Sequence, residues 1–243
     1  MLRYDWSHPK TEWFIGGKLN ITENCLDRHV EAHPDKLALI WESNDPNDAT
    51  VQYTYQELLT AVSRFANGLK NQGIKKGDRV CLYMPMIPEL TIAVLACARI
   101  GAIHSVVFAG FSSSALAARI SDAQCAILIT ADGGFRGDKV IPLKDIADEA
   151  LASCPSVKRC IVFQRTFRQI HWEEKRDIWW HDFIHGLSDT CVPTEMDAED
   201  PLFILYTSGS TGQPKGMVHS CGGYMVYTAY TFLNVFQYQK EDI

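Results

Sequence analysis

Ten consecutive residues, Thr207-Ser208-Gly209-Ser210-Thr211-Gly212-Gln213-Pro214-Lys215-Gly216, concentrate hydroxyls, glycines and one lysine directly after the apolar run Phe203-Ile204-Leu205-Tyr206. Glycine lets backbone N–H groups approach an anion closely, hydroxyls add donors, and lysine supplies a compact positive charge for phosphate oxygens. At the carboxyl end of a strand such a segment cradles a polyphosphate, because open α/β sheets bind ligands beyond those ends. A flexible Gly/Ser turn would account for the small residues, but for neither the lysine nor the density of hydroxyls behind a buried strand. The order is not that of a Walker loop, in which Gly-Lys-Ser/Thr follows a glycine and four residues; here Lys215 follows Pro214 and precedes Gly216. Phosphate binding is expected, without the usual P-loop geometry.

Other candidates carry less chemistry on their own. Gly133-Gly134-Phe135-Arg136-Gly137-Asp138-Lys139 follows the apolar run Cys125–Thr130 and falls at the same sheet edge, yet a Gly-Gly turn with one Arg and one Lys is more often a solvated loop. Core packing alone would explain Phe108-Ala109-Gly110-Phe111. His181 and His185 have the i, i+4 spacing of a metal pair, but no Glu or Cys ligand accompanies them, and the segment reads as a surface helix with no metal site. Trp172, Trp179 and Trp180 would suit base stacking only beside a basic groove; without one they are expected to pin their segment to the domain. Asp27, Arg28 and His29 form no triad, since no Gly-x-Ser-x-Gly elbow exists.

The elements that must position these residues follow from periodicity. From about Tyr53 to Val162 amphipathic helical patterns alternate with short β-rich runs, the signature of a parallel sheet flanked by helices. Thr54 stands three residues before Glu57 as a capping box; Leu58, Leu59, Val62, Phe65, Ala66 and Leu69 then recur at helical spacing, and Gly73 closes the helix. Further strands are predicted at Val80–Met84, His104–Phe108, Cys125–Thr130 and Cys160–Phe163, with helices near Pro88–Ile100, Ser113–Ser121 and Leu143–Ser153. The expected fold is α/β, an open, mostly parallel, doubly wound sheet. Trp13 to Ala49 reads as an irregular lead-in packed on the sheet, and Arg165 to Pro193 as a polar surface excursion with one short helix.

Composition bounds the rest. A chain of 243 residues, 47% of them hydrophobic, can bury a large core. The formal charge of −6 argues against a chain-wide attraction to nucleic acid or anionic membrane, so any anion site is local. The eight cysteines, scattered without a CxxC pair, read as reduced core residues and hence as cytoplasmic. No targeting segment is visible at Met1–Trp6, and the most membrane-like stretch, Thr91 to Phe111, is interrupted by Arg99, Gly101 and His104.

The phosphate loop, with Tyr206 before it and Met217-Val218-His219 after it, resembles the signature of the adenylate-forming superfamily of acyl-CoA synthetases, luciferases and peptide-synthetase adenylation domains. Trp13-Phe14-Ile15-Gly16-Gly17-Lys18-Leu19-Asn20, Asn24-Cys25-Leu26-Asp27-Arg28-His29, Tyr83-Met84-Pro85-Met86, Ala96-Cys97-Ala98-Arg99-Ile100-Gly101-Ala102 and Asp200-Pro201-Leu202-Phe203 narrow the resemblance to the acetyl-CoA synthetase family, the AMP-forming acetate–CoA ligases. Propionyl-CoA synthetases share several of these segments.

The resemblance implies two half-reactions: a carboxylate attacks Mg·ATP to give acyl-AMP and pyrophosphate, then the CoA thiol displaces AMP. It gives Thr207, Ser208, Gly209, Ser210, Thr211, Gly212, Lys215 and Gly216 the ATP phosphates, with Lys215 and Mg²⁺ stabilising charge on the leaving group. It places Arg136, Gly137, Asp138 and Lys139 against CoA phosphates, with Phe108, Ala109 and Gly110 passing beside CoA; Lys139 stands where arginine is often found, keeping the charge and losing the bidentate geometry. It further implies that residues 1–50 are a lead-in and 51–243 a partial AMP-binding domain of a large N-terminal unit. The adenine, ribose and metal motifs and a small C-terminal domain with the main catalytic lysine would lie beyond Ile243. On that basis ATP, acetate and CoA are the expected small-molecule partners, and the chain alone is expected to be inactive. A non-catalytic nucleotide- or CoA-binding module, a propionate-specific ligase and a carrier-protein adenylation domain are the alternatives.

Overall fold

The computed structural model describes residues 3–5, 7, 10–12, 14–44, 49–207, 214–239 and 242. A first hairpin pairs β1 (Arg3–Asp5) with β2 (Lys10–Glu12). A π-helical turn, Glu23–Asp27, then runs into α1 (Arg28–Ala32), and a second hairpin pairs β3 (Leu37–Trp41) with β4 (Val51–Thr54). The lead-in is thus more regular than composition suggests, and it is docked by buried polar groups. Fully buried Asn20 donates from Nδ2 to the carbonyls of Ala98, Arg99 and Thr194, while its Oδ1 accepts from Thr22 N and Thr22 Oγ1. Arg99 forms a bidentate pair with Asp27 at 2.8 and 2.9 Å and donates to Cys191 O at 2.6 Å. A buried cation is tolerated where its fork is matched this closely.

α2 (Tyr55–Asn71) opens on the expected capping box: Glu57 N donates to Thr54 Oγ1 at 3.2 Å and Thr54 N to Glu57 Oε2 at 2.8 Å. Gly73, at φ +83°, ends it through bonds from Gly73 N to Lys70 O and Ile74 N to Leu69 O. β5 (Arg79–Tyr83), α3 (Pro88–Arg99), β6 (Ile103–Val106), α4 (Ser113–Ala123) and β7 (Ile127–Ala131) follow the predicted alternation. A two-stranded ribbon, β8 (Gly134–Arg136) with β9 (Lys139–Ile141), precedes α5 (Leu143–Leu151) and β10 (Arg159–Phe163).

The stretch 165–193 is not wholly a surface excursion. It contributes β11 (Asp177–Trp179), which pairs in parallel with β10, and α6 (Trp180–Ile184). The reason is charge closure. Lys144, with a fully buried side chain, bonds Asp148 and Asp177 at 2.8 Å, and Arg176 bridges the same two carboxylates, so two cations meet two anions. Against the pull of burial, hydrogen bonds from Arg176 and Lys144 hold Asp177 below the usual carboxylate range. Trp180 stacks on Phe65 with centroids 4.1 Å apart, and Trp172 stacks on Trp179, the pinning expected of these rings.

β12 (Pro201–Thr207), β13 (Lys215–Ser220) and α7 (Cys221–Asn234) complete the described elements. The main sheet runs β11-β10-β7-β5-β6-β12-β13, parallel throughout except for β13, which is antiparallel to β12. Successive residues face opposite layers, as in a doubly wound sheet. Val80, Leu82, Ile127, Ile129 and Ile161 pack with α2, α3 and α6, whereas Cys81, Tyr83, Leu128, Cys160 and Val162 pack with α4 and α5. Seven cysteines are buried as expected; Cys25 is exposed. α7 leaves Tyr227, Tyr230, Phe232 and Leu233 exposed.

Candidate functional site

The carboxyl ends of β5, β6, β7, β10 and β12 share one edge of the sheet, and three candidate segments emerge there. The first is the hairpin of β12 and β13. Thr207 is the last residue of β12 and Lys215 the first of β13, and the two are cross-strand partners. Ser208, Gly209, Ser210, Thr211 and Gly212 lie outside the described residues. Lys215 was expected in a loop after a strand; it instead begins an antiparallel strand, so its backbone is fixed by the main sheet while its side chain is exposed. Tyr206 sits opposite Gly216, where a Cβ would come within 3.2 Å of the Tyr206 ring. The Tyr206 hydroxyl donates to Asp122 Oδ2 at 2.6 Å, and burial together with that carboxylate holds the phenol well above its ordinary range.

The second segment is the turn after β6. β6 ends at Val106, earlier than predicted, which places Phe108 outside the strand with its ring exposed. A Cβ at Gly110 would stand 2.5 Å from the Phe108 ring, so the ring lies against the bend only because this residue is glycine. Phe111 N donates to Phe108 O, and from beneath, the Tyr83 hydroxyl donates to Phe111 O at 2.7 Å. Burial pushes the Tyr83 phenol up to about 12, so it remains a donor at neutral pH.

The third is the ribbon of β8 and β9. Arg136 and Lys139 are cross-strand partners flanking the turn Gly137-Asp138, and both are exposed. Gly137 has φ +57°, a conformation costly for other residues. Like charges set directly opposite each other repel, which favours a bound anion between them. The base of the ribbon is held by Asp132, a residue the sequence motifs do not single out. Fully buried, it accepts from the backbone N–H of Gly133 (2.6 Å), Arg165 (2.8 Å) and Thr166 (2.9 Å). Phe135 lies 5.1 Å from the Arg165 guanidinium carbon, and Trp41 lies 5.2 Å from it. A charged residue at a strand's carboxyl end, directly before Gly-Gly, was the available signal for Asp132; nothing local marks Arg165.

Comparison with known proteins identifies the frame. Residues 26–243 match the family described as AMP-binding enzyme. The chain belongs to the AMP-binding enzyme family. Among relatives, it is 54% identical over 243 residues to the acetyl-coenzyme A synthetase of Magnetococcus marinus, covering 100% of this chain and 38% of that protein. It is 54% identical over 242 residues to the acetyl-coenzyme A synthetase of Vibrio vulnificus (98% and 37%), and 51% identical over 257 residues to that of Shewanella frigidimarina (99% and 39%). The chain thus spans under two fifths of the length of these relatives. Among the described residues no helix is long and apolar enough to cross a membrane, and no group of three or more His, Cys, Asp or Glu could hold a metal ion. His181 and His185 accordingly stand without further ligands among the described residues, His181 on short α6 and His185 at its end.

Proposed function

We propose that this chain is the front part of an AMP-forming acetate–CoA ligase, with residues 1–50 as a docked lead-in and 51–243 as part of its AMP-binding domain. The observation that carries the proposal is the 54% identity to acetyl-coenzyme A synthetases over the full length of this chain, phosphate loop included. Thr207, Ser208, Gly209, Ser210, Thr211, Gly212 and Gly216 offer backbone and hydroxyl donors to the ATP β- and γ-phosphates, and Lys215 places its charge against the pyrophosphate as it leaves.

In the second half-reaction Arg136 and Lys139 take the phosphates of CoA, with Gly137 and Asp138 shaping the turn between them. Phe108, Ala109 and Gly110 form the small-residue turn beside which the CoA arm passes, and the exposed Phe108 ring offers it an apolar face. Mg²⁺ carried by ATP would supply charge neutralisation on the phosphates beside Lys215. Cytoplasmic location, and small molecules rather than nucleic acid as partners, go with this assignment.

The test is acetate-dependent ATP–pyrophosphate exchange, run on this chain and on the longer ligase that contains it. Exchange by the ligase and none by the chain supports the proposal. Propionate outrunning acetate would shift the assignment to the propionate enzymes of the same family. Binding of ATP or CoA by a complete protein that exchanges with neither acid would favour a sensing module.

A further inference from the structure

Side chains of α4 touch both the turn that begins at Phe108 and strand β12, two segments that the proposed chemistry uses. Arg119 is buried and donates from Nη1 to Ala115 O at 2.6 Å. Its guanidinium carbon stands 4.7 Å from the Phe111 ring centroid and 5.6 Å from that of Tyr206. Phe111 closes the turn that begins at Phe108, and Tyr206 immediately precedes Thr207 and the phosphate loop. Three residues along the same helix, Asp122 accepts the Tyr206 hydroxyl, so Tyr206 is gripped at its ring and at its tip. Phe111 is gripped likewise, by Arg119 at its ring and by Tyr83 at its carbonyl.

Arginine suits this place for a physical reason. Its charge is spread over a plane that can lie against aromatic faces, it sheds water more readily than an ammonium, and its attraction to rings grows when water is excluded. Lysine would present a point charge able to serve one ring well. An apolar side chain would fill the space but hold neither ring in orientation.

We infer, resting on the ligase assignment, that Arg119, aided by Asp122, is a positioning residue shared by both half-reactions: it joins Phe111 and Tyr206 into one unit and so sets the CoA-side turn relative to the strand that carries the phosphate loop. It contacts no proposed substrate directly. A residue serving only one site would disturb one half-reaction; this one disturbs both.

Two measurements on Arg119→Leu and Arg119→Lys decide it. Hydrogen exchange of the full chain, read by mass spectrometry, should quicken in Arg119→Leu by about tenfold in segments containing residues 108–111 and 206–207, with the ribbon 134–141 keeping its rate and Arg119→Lys falling between. Uniform quickening across the sheet, or none, would overturn the inference. In the ligase that contains this segment, Arg119→Leu should raise the KM for CoA and slow acetate-dependent pyrophosphate exchange, each by about tenfold, with partial rescue by lysine. An effect confined to one half-reaction would also overturn it. If the unsubstituted ligase ran neither reaction, the ligase assignment would fall, and the hydrogen-exchange pattern alone would then support or overturn the joining of Phe111 and Tyr206 by Arg119.

Discussion

Two antiparallel ribbons carry the candidate anion-binding residues, and they are held in different ways. The ribbon of β12 and β13 is part of the main sheet: β12 pairs with β6 on one side and β13 on the other, and Tyr206 is tied to α4. The ribbon of β8 and β9 is a separate two-stranded sheet, rooted at one end by the buried Asp132 and leaning through Phe135 on Arg165. A two-stranded ribbon is marginal alone, so its order depends on that root. Thr207 pairs with Lys215 and Arg136 with Lys139 across their strands, but only the first pair belongs to a ribbon that is extended by a further strand, β6; the second relies on the buried Asp132 at its base.

The difference predicts where damage falls. Asp132→Ala should have the largest effect, costing about 4 kcal/mol because three buried N–H groups lose their acceptor. Urea unfolding measures the loss, and exchange at Gly133, Arg165 and Thr166 should locate it; protection persisting at all three would remove Asp132 as the root.

Acid should loosen the other ribbon's neighbourhood first. His104 on β6 pairs with Phe203 of β12, stacks on it at 5.4 Å, and burial lowers its pKa to about 4. The unfolded chain takes up that proton near its ordinary pKa of about 6.5, while the folded one resists it. Stability contributed by neutral His104 is therefore complete above about 6.5, falls as pH drops towards about 4, and is on the order of 3 kcal/mol. Unfolding free energies for wild type and His104→Phe between those limits should diverge in slope. Parallel curves would show that His104 does not control the acid response.

Lys215→Ala should slow adenylation in the ligase by about 1.5 to 3 kcal/mol, the scale of one charge-assisted hydrogen bond, with a far smaller effect on acetate KM. Stability should barely change, because the side chain is exposed. Pyrophosphate exchange at the wild-type rate would take Lys215 out of the mechanism. Arg136→Ala should instead raise the KM for CoA by about 1 to 2 kcal/mol, with Lys139→Ala weaker in the same direction. Slowed exchange with CoA affinity intact would reverse the assignment of the ribbon. The smallest effect belongs to Gly137→Ala, about 1 kcal/mol from its left-handed backbone. That change should show in CoA affinity rather than in adenylation, and thermal denaturation with a CoA titration reads both.

What the chain's own order determined is whatever neighbours in sequence can decide. Thr54 and Glu57 are three residues apart and close the same capping box in any context that permits a helix; Gly73 ends that helix because its own φ is positive. The βα alternation announces the doubly wound sheet, and the donors packed into the run from Thr207 to Gly216 are the ground on which phosphate binding is proposed. Tertiary structure alone decided the rest. Nothing near Lys215 says that it opens an antiparallel strand, and adjacent Arg176 alone does not say that Asp177 can enter a sheet, since its second cation, Lys144, lies on α5, 33 residues earlier in the chain. Asp132 finds its Arg165 donor 33 residues away, Arg99 its carboxylate 72 away and Tyr206 its acceptor 84 away. Such partners are invisible to local pattern because closing so long a loop is repaid only by the completed core, which brings together groups that are not neighbours along the chain.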